Sequence, residues 1–110
     1  MGSNEFVKGI KFSYNESIAY TEKAVVSKQI VKKENGNIGL FAFDAGEGLS
    51  EHTAPFDAIV FIVDGKAEIT INGAASILEA GETIIMPANV PHALKAVERF
   101  KMVLTMILSK

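Results

Sequence analysis

From residue 25 onward, apolar and polar residues alternate in short runs separated by glycine, proline and Asn/Asp turns. That period of two predicts strands, and no stretch with the helical period of 3.6 competes with it. Residues 25–32 read as a first strand, Glu34-Asn35-Gly36-Asn37 as a turn and 38–43 as a second strand. Gly46 and Gly48 break the chain before a strand at 49–53, and Pro55 interrupts it again before the apolar run 58–63. Asp64-Gly65 predicts a tight hairpin, because both positions tolerate positive φ, and Asn72-Gly73 predicts a second one after the strand 66–71. Strands at 74–78 and 83–86 follow, joined by Glu79-Ala80-Gly81. Pro87 and Pro91 bracket a loop that cannot continue a ladder, and 92–96 and 100–108 are the last two strands. Residues 1–20 mix Phe6, Val7, Ile10, Phe12, Ile18 and Tyr20 with polar residues and predict a short strand or arm. Turns recurring about every 8–12 residues are the spacing of an all-β sandwich or barrel.

Alternation also assigns faces. Along 100–108, Phe100, Met102, Leu104, Met106 and Leu108 face the interior, while Lys101 and Thr105 face out. Along 66–71, Ala67, Ile69 and Ile71 point in and Glu68 and Thr70 point out. The run 58–63 is apolar on both faces, so its outer residues Ile59, Phe61 and Val63 need a cover. A homodimer is expected to hide them; the alternative is that residues 1–20 fold back over them.

A chain of 110 residues is one domain with room for a core, divided here into an arm at 1–24 and a barrel at 25–110. A net charge of −2 without a basic stripe predicts no nucleic-acid partner. There is no cysteine, which removes disulfides, thiolate nucleophiles and Cys-based zinc sites. No apolar run approaches the ~20 residues of a membrane span, and Met1-Gly2-Ser3-Asn4-Glu5 lacks the basic and apolar regions of a signal peptide. A cytoplasmic setting without membrane contact is expected.

Candidate chemistry concentrates in two stretches that hold the only two histidines, Gly46 to Gly65 with His52 and Gly81 to Ala96 with His92. These stretches resemble the two motifs of the cupin superfamily, in the form of its small single-domain "cupin 2" conserved-barrel proteins. The first family motif runs glycine, five residues, His-x-His, three or four residues, glutamate, six residues, glycine. Gly46, His52 and Gly65 match it. The second runs glycine, five residues, proline, x, glycine, two residues, histidine, three residues, asparagine. Gly81, Pro87 and His92 match that one. The resemblance implies a small jelly-roll, or double-stranded β-helix, barrel. Four positions depart from it: Ala54 stands for the second histidine, Ala58 for the glutamate, Asn89 for the glycine and Ala96 for the asparagine.

Family members with the full set hold a divalent metal with three histidines and the glutamate, and only His52 and His92 remain of those four. Two imidazoles leave most of a metal's coordination to water. Glu51 and Asp57 point away from the pocket by strand parity, unless a bulge re-aims them. Met102 and Met106 face inward, where a thioether beside imidazole suits a soft ion such as Cu(I) or simply fills core gaps. The resemblance places His52 and His92 in one cavity, with Ala54, Ala58, Val60, Ile62, Leu94, Ala96, Phe100, Met102 and Leu104 as its expected lining. An apolar pocket with a few polar groups suits a small organic ligand, although the same side chains can simply fill a barrel. Three functions follow as expectations. The first is a binding module for a small organic molecule, metal-free or weakly metal-loaded. The alternative is a metal-dependent enzyme of the dioxygenase, isomerase or decarboxylase class with a non-standard ligand set around Zn, Fe, Mn, Ni or Cu. In a metal-free version of that enzyme His52 or His92 is the catalytic base. The third is a structural dimer with a merely packed barrel.

Overall fold

The computed structural model describes residues 6–108. The first five residues of the predicted arm and the last two of the barrel lie outside the described residues. Seven antiparallel strands form the fold: β1 (Val25–Lys33), β2 (Gly36–Phe43), β3 (Gly48–His52), β4 (Phe56–Ile71), β5 (Ala74–Glu79), β6 (Thr83–Met86) and β7 (His92–Leu108). The described residues contain no helix, and so none long and apolar enough to cross a membrane. The chain is all-β, as the period of two predicts.

Two strands organise the rest. The first part of β4 pairs with β6 and with the second part of β7, while its last part pairs with β5 and with the first part of β7. One layer is therefore β1–β2–β7–β4–β6 and the other β3–β7–β4–β5, with β4 and β7 passing through both. Register shifts between Ile62 and Asp64 and between Gly65 and Ala67 mark the corner. The hairpin expected at Asp64-Gly65 is not there, and the break expected between 96 and 100 is absent as well: β4 and β7 run on. Gly65 does adopt positive φ, at 84°, but spends it on a bulge in a continuing strand. A Cβ there would lie 1.8 Å from the carbonyl oxygen of Arg99 on β7. At Asn72-Gly73 the expected hairpin does form, with φ of 50° and 86° and Ile71 paired to Ala74.

The core between the layers holds Phe43, Val60, Ile62, Ile69, Phe100 and Met102, all fully buried. Phe43 and Phe100 stack with centroids 4.4 Å apart and planes within 7°. Parity thus reads the inner faces of β4 and β7 correctly except at Leu108, which is 40% exposed where β7 ends.

A second apolar cluster lies on the outside of the first layer. Leu40, Ala42 and Val103 are buried there beneath Ile18, with Phe6, Tyr20 and Val63 packed against them. Residues 6–24 form turns and loop rather than a strand, and they cover part of the outer face, including Val63. Sinking Ile18 to 4% exposure contributes about 1.5–3 kcal/mol. Phe61 stays 37% exposed, and Ile85, the β6 partner of Ile59, is 59% exposed. Lys101 faces outward, as parity places it, but is buried there under this segment. Its Nζ donates to the backbone oxygen of Asn15 at 2.7 Å and to Oδ1 of Asn15 at 3.0 Å. The Tyr20 hydroxyl donates to the Asp64 carboxylate, and the Arg99 guanidinium sits 4.6 Å above the Tyr20 ring. Burial first, and then this bond to Asp64, push the Tyr20 phenol well above its usual range. A lysine can be taken out of water only with such partners, which the arm supplies.

Candidate functional site

His52 ends β3 and His92 begins β7, and the two are directly paired across the ladder. Their rings meet edge to face, with centroids 4.4 Å apart and planes at 72°. His52 is exposed, whereas His92 is 4% exposed. Nδ1 of His52 lies 2.7 Å from the carbonyl oxygen of Ser50, and Nδ1 of His92 lies 3.2 Å from that of Val90. Each ring is thus oriented by its own chain two residues back. Burial, and after it the neighbouring His52, hold the His92 imidazole below its ordinary pKa, partly offset by the Val90 carbonyl.

Both rings face a cavity of about 110 Å³ between the two layers. Of the expected lining, Ala54, Ala58, Leu94, Met102 and Leu104 are at this cavity together with the two histidines. Val60, Ile62, Ala96 and Phe100 are not; they belong to the packed core. Parity gives the face of a strand but not the height along the barrel at which packing stops, and the Phe43–Phe100 stack fills the height where those residues sit.

Four further residues line the cavity: Leu49, Phe56, Met86 and Met106. Met106 follows from the parity of β7, and Met86 could have been found by continuing the alternation of Ile84 along β6. Leu49 could not, since parity puts it opposite His52. A register shift between Leu49 and His52 in the β3–β7 ladder brings both to the cavity.

The loop between Pro87 and Pro91 is tied to this end of the barrel. Asn89 takes positive φ, at 63°, and its N–H donates to the Ala54 carbonyl at 2.7 Å. Asparagine tolerates that conformation, so the loop keeps its shape where the motif has glycine. The Asp57 carboxylate accepts the Ala88 N–H at 2.9 Å. Asp57 thus anchors the loop from the surface and does not line the cavity, nor does the exposed Glu51.

The donor set does not fit the metal centre that the motifs imply. Ala54 and Ala58 occupy two of the four ligand positions and present only methyl groups to the cavity. Among the described residues no group of three or more His, Cys, Asp or Glu side chains can hold a metal ion. Metal sites of this kind are built from three or four such ligands. Met86, Met102 and Met106 add thioethers to the wall, two of them deeply buried in the apolar core.

A double-layered antiparallel barrel of this topology is the double-stranded β-helix architecture. The chain belongs to the Cupin_2 family of cupin domains, whose model matches residues 39–108. It is similar to the solved structure of a conserved protein of unknown function from Streptococcus pyogenes. That pair shares 33% identity over 93% of this chain and 90% of the other, with a TM-score of 0.88. A cupin 2 conserved barrel domain protein from Leptotrichia buccalis is 38% identical over 87% of this chain and 47% of its own, with a TM-score of 0.85. An uncharacterized protein of Streptomyces coelicolor is 33% identical over 64 residues, which are 58% of this chain and 61% of that protein. The matched region thus spans about half to three-fifths of these last two proteins' lengths.

Proposed function

We propose that this cupin barrel binds a small organic molecule in the cavity headed by His52 and His92, without depending on a resident metal. The observation that carries the reading is the composition of the cavity wall: apolar throughout except for the two imidazoles. A concave apolar site with a few convergent polar groups is the general form of a small-molecule site. Ala54 and Ala58 favour the same reading, because two short side chains make room where ligands of a metal would reach inward. The enzyme alternative calls for a carboxylate or a third imidazole beside the pair, and among the described residues none is grouped with them.

The test is elemental analysis by mass spectrometry on protein purified without a His-tag or chelating resin, beside the double variant His52→Ala with His92→Ala. Substoichiometric metal that is the same in both samples is expected, with an organic molecule recovered from the native protein and not from the variant. About one metal ion per chain, lost in the variant, would move the protein to the metal-dependent enzyme class.

A further inference from the structure

The hydrogen bonds of the two imidazoles restrict what kind of molecule the cavity takes. A carbonyl oxygen only accepts, so the Nδ1 atoms that face Ser50 and Val90 must each carry the proton. In a neutral ring the other nitrogen, Nε2, is then a lone-pair acceptor. Among the described residues neither Nε2 has a hydrogen-bond partner. No side-chain nitrogen or oxygen there is both sealed from solvent and unpartnered, so Nε2 of the buried His92 opens on accessible space. The remaining wall, from Leu49 and Phe56 to Leu94 and Met102, offers no side-chain donor. A guest carbonyl or carboxylate meets no side-chain donor beside the neutral rings, while a guest hydroxyl finds an acceptor.

Size narrows the guest further. At about 110 Å³ the cavity is close to the ~150 Å³ engineered apolar cavity that admits benzene. The exposed His52 marks its open rim. Resting on the binding reading above, we infer that the ligand is a small, neutral, largely apolar molecule of the phenol type. Its body, of one ring or similar bulk, lies among the methionines and leucines, and its hydroxyl donates to Nε2 of His92. The motif alanines serve this use, because methyl groups at 54 and 58 leave room for carbon and not for charge.

The test compares phenol with toluene, which has the same size but a methyl group in place of the hydroxyl, by NMR titration of metal-free protein. Native protein is expected to bind phenol more tightly than toluene. In the variant His92→Leu, phenol should weaken about tenfold or more, since its buried hydroxyl loses its partner, while toluene is retained. The variant His92→Gln, which returns an acceptor oxygen near the lost Nε2, should recover the phenol preference. Binding of toluene but not phenol by native protein would overturn the inference and leave the cavity reading standing. Failure of both to bind would overturn the two together. Nitrogen-15 spectra of the free protein supply a check independent of any ligand: His92 must be the Nδ1–H tautomer, and an Nε2–H tautomer refutes the proposal.

Discussion

Replacing Gly65 by alanine tests the corner at which β4 leaves one layer for the other. Two separate costs arise there. The left-handed backbone, at φ of 84°, costs an L-residue with a Cβ about 1–2 kcal/mol. The added carbon would also lie 1.8 Å from the Arg99 oxygen and 2.7 Å from Cα of Phe100, both backbone atoms of the paired strand. No side chain can rotate away to relieve that overlap, so β4 and β7 must separate, at a cost of the order of 1–3 kcal/mol for overpacking. The expected loss is about 2–5 kcal/mol, a large share of the ~5–15 kcal/mol that holds a typical domain together. Gly81→Ala is the matched control: its φ is 93°, but nothing lies within 4 Å of a Cβ placed there. It should lose only the conformational part. The assay is urea unfolding followed by circular dichroism, with midpoint and slope compared among the three proteins. Equal losses in the two variants, within about 0.5 kcal/mol, would refute the claim that backbone contact at Gly65 makes the corner.

Three other outcomes follow from the structure. His92 binds its proton less readily folded than unfolded, where a histidine titrates near ~6.5, so the unfolded state takes up more protons as pH falls below that value. Stability is therefore expected to fall between pH 7.5 and 5, with a shallower fall in His92→Phe; identical slopes would contradict the cause assigned to the shift. Tyr20→Phe removes a hydrogen bond to the part-buried Asp64 carboxylate and should cost ~1–2 kcal/mol in urea unfolding, whereas an unchanged midpoint would mean the arm is held by its apolar contacts alone. A second copy of the chain is proposed to cover the exposed Phe61 and Ile85, so sedimentation should show a dimer that Phe61→Asp converts to monomer; a monomeric native protein rejects that cover.

Much of the fold was legible because burial imposes a period of two on strands. The inner faces of β4 and β7 lie where alternation puts them, apart from Leu108, which is exposed because the strand ends there. Asp64-Gly65 misled because positive φ is needed both in a two-residue hairpin and in a bulge, and local sequence does not say whether the chain reverses or merely bends. Alternation gave the face of Lys101 but not its burial, which depends on Asn15 and Tyr20, more than 80 residues away along the chain, and no local pattern announces such a partner. At the site, the motif spacing singled out the two histidines, and the ladder pairs them directly. The extent of the cavity was hidden for a different reason: Phe100 and Leu104 share a face, and only packing decides which of them borders empty space.

The sharing of β4 and β7 between the two layers has a consequence for how the protein folds. Neither layer possesses a complete set of strands of its own, so neither can persist while the other melts. Phe56 finds its partner at Leu108 and Ile71 at His92, so the central ladder closes only once the chain has come back across separations of 21 to 52 residues. Loop closure over such separations comes before any of its reward, which makes folding slow for the chain's size. Unfolding should accordingly be a single cooperative event in which the cavity and the far core exchange their amide protons together.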